Sequence, residues 1–180
     1  FQDLLDRMRT DYIDLGMIHF VDEAAEFQSI MNGEFMEYVR GLKEQGIIRH
    51  IGMSTHNPAV AKMGALCGEI EMILFSINPA FDMLPASENI EDYFKERYEE
   101  ELGGIAPERA ELYRICEQEE VGITVMKGYA GGRLFSAEAS PFGVALTPVQ
   151  CLHYALTRPA VASVMVGYDT PEHVAAAVAY

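Results

Sequence analysis

The sequence predicts an α/β fold of five parallel strands alternating with helices, a partial (β/α)8 TIM barrel. Three observations carry that expectation. Short apolar runs recur between stretches with helical spacing, each run preceded by a helix, and such alternation builds a parallel sheet joined by right-handed crossovers. No GxGxxG or GxxxxGK[ST] follows any of the runs, as a doubly wound nucleotide-binding sheet would normally require, so a closed barrel or part of one is favoured. Five strands cannot close the usual eight, which makes residues 1–180 a single incomplete barrel domain.

The elements follow in order. Phe1 to Met8 places Leu4, Leu5 and Met8 at helical spacing, and Tyr12 to Ile18 reads as a buried strand that ends on His19. An acidic loop leads to a helix over Glu34 to Gln45 with Phe35, Met36, Val39 and Leu42 on one face; Gly46 suits the left-handed position after it, and Ile47 to Met53 is strand. Asn57-Pro58 opens a helix to about Leu66, and Glu71 to Ile77 is the third strand. The run from Asp82 to Gly104 breaks the rhythm and reads as a charged, exposed helical excursion. Pro107 to Glu119 is helix, Gly122 to Met126 strand, Thr147-Pro148 the start of a helix to about Leu156, Val161 to Val166 strand, and Thr170-Pro171 the cap of a last helix. Asp14, in the middle of the first strand, is expected to be a buried structural acid.

Composition narrows the function. With 13 Lys and Arg against 28 Asp and Glu, a net charge of −15, and the cations scattered, there is no basic face for nucleic acid or anionic lipid. No apolar run approaches the roughly 18 residues of a membrane span. Cys67, Cys116 and Cys151 stand far apart without CxxC spacing, which points to no metal site and no disulfide framework and fits a reducing, cytoplasmic setting.

In a barrel of this kind the chemistry sits at the carboxyl ends of the strands. Those ends carry His19; Ser54, Thr55 and His56; Ser76 and Asn78; Lys127; and the loop Gly167-Tyr168-Asp169. Four of these also have plain structural readings: His19 as a satisfied structural imidazole, Ser54 and Thr55 as openers of the turn into the Asn57 helix, His56 as a loop residue. The Gly131-Gly132 pair either lets a ligand approach the backbone closely or forms an ordinary tight turn. The start at Thr170 offers a helix N-terminus to a phosphate, although most such ends are simply capped.

The phrases "TDYIDLGMIH", "LKEQGIIRHIGMST", "GITVMKGYAGGRL", "ALTPVQCLHYALTRPAVASVMVG" and "TPEHV", in this order over the whole chain, resemble the aldo-keto reductases. The similarity is greatest to a bacterial branch with "MK" before the "AGG" turn, whose full-length members often carry a 4Fe-4S segment after the barrel; such a cluster would lie beyond this chain. The resemblance implies that the five strands are approximately the fourth to eighth of a barrel. It also implies a nicotinamide cofactor, NADP or NAD, bound without a Rossmann loop, and hydride transfer to a small-molecule aldehyde or ketone.

Of the family's Asp, Tyr, Lys and His, only the His is matched, by His19, which would orient the substrate carbonyl through a ring N–H. Family members place the other three on strands before the helix at which this chain begins, so the 180-residue segment alone is expected to be inactive. Ser54 matches a serine that contacts the nicotinamide carboxamide, with Thr55 in place of the family Asn. Asn78, Met126 in place of a stacking Tyr, Lys127, Gly131, Gly167, Thr170 and His173 fall in the remaining cofactor positions. Leu74 stands where a carboxamide-binding Gln is common. Asp169 would repel a 2′-phosphate, which leaves NAD(H) open beside the family's usual NADP(H).

Two other readings stand beside this one. The first is a non-catalytic truncated barrel or cofactor-binding scaffold. The second is a lyase in which Lys127 forms a Schiff base with a carbonyl after desolvation lowers its pKa. An open barrel segment leaves two parallel edges uncovered, so the 180 residues alone are expected to associate.

Overall fold

The computed structural model describes residues 1–83 and 104–180. Most of the charged excursion read between Asp82 and Gly104 lies outside them. The described chain forms α1 (Gln2–Met8), β1 (Ile13–Ile18), α2 (Ala24–Met31), α3 (Glu34–Glu44), β2 (Ile48–Thr55), α4 (Pro58–Leu66), β3 (Met72–Ser76) and α5 (Pro79–Met83). These are followed by α6 (Pro107–Gln118), β4 (Gly122–Met126), a 3-10 helix at Ala130–Phe135, α7 (Pro148–Leu156), β5 (Val161–Val164) and α8 (Pro171–Val178).

All five strands are parallel and lie in the order β1-β2-β3-β4-β5. A doubly wound sheet reverses its strand order, whereas a barrel adds each strand beside the last. The sheet is therefore a segment of a barrel wall. Side chains alternate across it. Ile51, Met53, Ile73, Phe75, Ile123 and Val125 pack with Val39, Leu42, Val60, Leu112 and Cys116 of the helices in one core. Their neighbours Ser54, Leu74, Ser76, Thr124 and Met126 fall on the opposite, concave face.

The helix starts obey local chemistry. Asn57 caps α4 by accepting the Ala59 N–H, Thr147 and Gln150 form a capping box on α7, and Thr170 accepts the His173 N–H at α8. Each of the three is followed by Pro at the first helical position.

Several expectations are corrected. The stretch read as an acidic loop before Glu34 contains α2, whose Phe27 and Met31 are buried. Among the described residues β1 is not a covered strand: it pairs with β2 alone, and Leu15 and Met17 are exposed on its concave side. Asp14 is an exposed partner of Arg49, at 2.7 Å, rather than a buried acid. β5 stops at Val164 instead of Val166.

An ion cluster fastens α3 to the sheet. Glu71 accepts from Lys43 Nζ at 2.5 Å and from the Ile51 N–H at 3.1 Å, and its other oxygen lies 2.8 Å from His50 Nδ1. Partial burial raises the Glu71 pKa, but the bonds from Lys43, His50 and Ile51 outweigh it and bring the carboxyl to about 2. Because this folded value lies below the ordinary 4.5, the cluster's stabilisation is fully present above pH 4.5 and is lost as the pH falls from there toward 2. Glu71 is 37% exposed, so solvent screening holds the contribution well below what the shift alone implies. Urea unfolding should show Glu71→Gln less stable than the parent near neutral pH, with the gap closing across that acid window; a gap independent of pH would refute the assignment.

Candidate active site

The ends of β1 and β2 form the first part of the site. His19, one residue beyond β1, puts Nδ1 2.7 Å from Ser54 Oγ. Ser54 is fully buried, whereas the His19 ring is exposed. The next residues turn away from the concave face. Thr55 Oγ1 donates to Asp22 Oδ1 at 2.9 Å, the His56 N–H donates to the same oxygen at 2.6 Å, and His56 Nδ1 lies 2.9 Å from Asp22 Oδ2. Asn57 Nδ2 donates to the Asp22 carbonyl at 2.9 Å. Burial pushes the Asp22 carboxyl up, yet the bonds from His56 and Thr55 hold it below its ordinary value. Asp22 is thus the organiser of the β2–α4 turn. Its only sequence signal was an acid shortly after a strand end.

The ends of β3 and β4 form the second part. Asn78 is fully buried; its amide donates to the Lys127 carbonyl at 3.0 Å, and its carbonyl oxygen accepts the Phe81 N–H at 2.9 Å. That stitch aligns the two strand ends. Beyond Met126 the backbone becomes irregular: Lys127 and Ala130 have φ of 59° and 48°, followed by Gly131 and Gly132 at 65° and 83°. Non-glycine residues in the left-handed region cost on the order of 1 kcal/mol or more each, a strain that tends to collect at functional sites. Partial burial lowers the Lys127 pKa, with the Asp22 carboxylate opposing the shift.

Beyond this turn lies a cavity of about 510 Å³, lined among others by Lys127, Gly131, Gly167, Asp169 and His173. A Cβ added at Gly131, Gly132 or Gly167 would meet no atom within 4 Å, so these backbone stretches face open space. The Thr170 hydroxyl is spent on the α8 cap. The fold therefore gathers Lys127, Gly131, Gly167 and His173 in one cavity, while His19 and Ser54 meet at the far end of the sheet. Thr55 and Asn78 are buried with their side chains engaged by the protein, which leaves no exposed side-chain surface for a ligand. Met126 lies on the concave face between the two parts. One further group is notable: Ser76 Oγ, on the same face, is buried without a hydrogen-bond partner among the described residues.

A barrel wall with an imidazole at one strand end and a glycine-lined cavity at two others narrows the choice of family, and the comparison with known families decides it. The profile of the Aldo/keto reductase family matches residues 1–145. The chain belongs to that family. Comparison with curated proteins returns no match. Among solved structures, the chain is similar to an aldo-keto reductase from Bacillus halodurans in its holo form, with a TM-score of 0.65 and 23% identity over 99% of this chain and 58% of that one. It is also similar to an aldo-keto reductase from Klebsiella pneumoniae in complex with NADPH, with a TM-score of 0.61 and 18% identity over 99% of this chain and 56% of that one. At these identities the likeness establishes the fold of the aldo-keto reductase barrel wall. The chain spans less than three fifths of the length of either structure.

Proposed function

We propose that this chain supplies the cofactor cavity and the substrate-orienting imidazole of an aldo-keto reductase that reduces a small aldehyde or ketone with NADP(H) or NAD(H). The observation that carries the reading is the convergence of Lys127, Gly131, Gly167 and His173 on one cavity at the carboxyl ends of β4 and β5. The residues present suit a nicotinamide dinucleotide. Glycine backbone open to the cavity can approach a diphosphate, and Lys127 supplies a charge for it. The similar Klebsiella pneumoniae structure holds NADPH. When bound, the dinucleotide supplies the hydride.

The chain's own residues do the rest. His19 directs a ring N–H at the carbonyl oxygen, fixing the carbonyl's orientation and stabilising the negative charge that develops on it. Met126, half-buried on the concave face, offers a thioether surface to a flat ring. Asp169 on the cavity wall disfavours an added phosphate and shifts preference toward NAD(H). The family's Tyr, Asp and Lys are not matched in these 180 residues, so turnover is assigned to a longer protein and the segment alone is read as inactive.

The test is calorimetric titration of the full-length protein with NADH and NADPH, followed by carbonyl reduction assays. Lys127→Met should weaken cofactor binding roughly 10- to 100-fold, the worth of one charge-assisted bond of about 1.5–3 kcal/mol. Because partial burial lowers the Lys127 pKa, the Schiff-base reading has a physical basis of its own. Borohydride trapping of a carbonyl substrate on Lys127, with no cofactor binding, would replace the reductase reading. Cofactor binding without reduction of any carbonyl would leave the scaffold.

A further inference from the structure

We propose that Ser54 is a positioning residue that holds His19 in the tautomer carrying its proton on Nε2. The purpose of that tautomer rests on the reductase reading above; its geometry does not.

The argument is one of hydrogen-bond satisfaction. A neutral imidazole has one N–H and one bare nitrogen, and which is which follows from the partner each nitrogen meets. His19 Nδ1 and Ser54 Oγ stand 2.7 Å apart, so a single hydrogen lies between them. If Nδ1 carried that hydrogen, the serine hydroxyl would have to place its own proton elsewhere. Ser54 is fully buried, and among the described residues His19 is the hydrogen-bond partner that its hydroxyl has. The alternative therefore strands a buried O–H, which native structures rarely tolerate. If the hydroxyl donates to Nδ1 instead, both groups are satisfied and the ring proton sits on Nε2.

The consequence is directional. With Nδ1 turned to the protein, the exposed side of the ring presents an N–H donor to the mouth, the form that a carbonyl oxygen requires. The opposite tautomer would present a lone pair to that oxygen and repel it. Ser54 also cannot drift. Its own carbonyl accepts the Val21 N–H at 3.0 Å, and it lies in register with Leu74 inside the paired region of β2 and β3. A serine at this position thus does work that its match to a cofactor contact does not describe.

Nitrogen-15 NMR of the full-length protein with labelled histidine rings, at a pH where the imidazole is neutral, reads the tautomer directly; His19→Gln assigns the signals. The expected result is a protonated Nε2 and a bare Nδ1 on His19. In Ser54→Ala both tautomers should become populated, and Ser54→Thr, which keeps the hydroxyl, should restore the Nε2–H form. Where carbonyl reduction is observed, Ser54→Ala should lower kcat about 10- to 100-fold with much less change in KM, by analogy with the cost of removing the partner that orients a metal-ligating histidine. A proton on Nδ1 in the unaltered protein overturns the proposal even if a variant fails to fold, and so does an unchanged tautomer in a folded Ser54→Ala. If the protein reduces no carbonyl, the reductase reading fails, while the spectrum still decides the role of Ser54.

Discussion

Arg109→Met is expected to destabilise the protein by about 3–5 kcal/mol, the usual result of removing one partner from a buried charge pair. Arg109 and Asp82 are both fully buried. The guanidinium donates to the Phe81 carbonyl at 2.9 Å and to the Ser76 carbonyl at 2.9 and 3.3 Å, and its Nε lies 3.5 Å from Asp82 Oδ1. Tyr113 donates to Asp82 Oδ1 at 2.5 Å, and Tyr154 donates to Oδ2 at 2.9 Å. One arginine thus joins the end of β3, α5 and α6 in a dry environment, and α7 reaches the same carboxylate through Tyr154. Removing it takes the adjacent counter-charge from a buried carboxylate that keeps its two tyrosine donors, and takes the guanidinium donors from two carbonyls.

The pH dependence of that loss is also fixed in sign. Burial raises the Asp82 pKa and Arg109 opposes the rise, so without Arg109 the carboxyl moves further up. A carboxyl whose folded pKa exceeds 3.8 binds its proton more tightly folded than unfolded, and the fold loses stability as the pH climbs above that value. The deficit of Arg109→Met, measured by denaturant unfolding, should therefore grow from acid to neutral pH. Adding Asp82→Asn should recover part of it at neutral pH, because the neutral amide carries no buried charge. A deficit under about 1 kcal/mol at neutral pH would mean that the network is solvated.

Neither residue signalled this role in the sequence: Asp82 opens the run that reads as a charged, exposed excursion, and Arg109 lies among the charged residues that begin the helix after it. The strands were legible because each is a short apolar run with turn or cap residues at its ends, a local property. The helices announced by Asn57-Pro58, Thr147-Pro148 and Thr170-Pro171 were legible for the same reason. α2 was hidden because Glu23, its N-cap, makes no side-chain cap bond, and only the spacing of Phe27, Ile30 and Met31 marks it. The exposure of β1 was hidden because being an edge strand is a property of the sheet rather than of the strand.

The site divides along the same line. Lys127, Gly131, Gly167 and His173 could be named from motifs, and their meeting follows once β4 and β5 are neighbours. At Thr55 and Asn78 the sequence is ambiguous, because a polar residue at a strand end looks the same whether it faces a ligand or ties two loops together. Asp22 was missed because its partners Thr55 and His56 are brought to it only by the pairing of β1 with β2.

On the reductase reading, His19→Ala in the full-length protein should lower kcat/KM for carbonyl reduction by roughly 10²–10³, the cost of one preorganised donor to a developing oxyanion. The effect should fall mainly on kcat, because the negative charge on the carbonyl oxygen exists in the transition state and hardly at all in the bound substrate. The fold should persist at a cost of about 1–3 kcal/mol, since the ring is exposed but its removal leaves the buried Ser54 hydroxyl without the partner it has among the described residues. Affinity for the dinucleotide should also be preserved, because the cavity lined by Lys127 and Gly167 does not include His19. His19→Gln separates donation from bulk: its amide N–H can reach the same oxygen but is not locked by Ser54, so it should recover only part of the loss. Unchanged turnover in His19→Ala would remove the imidazole from the chemistry and return it to the structural role that a lone histidine at a strand end ordinarily has. A loss confined to KM would instead make it a binding group with no share in stabilising the oxyanion.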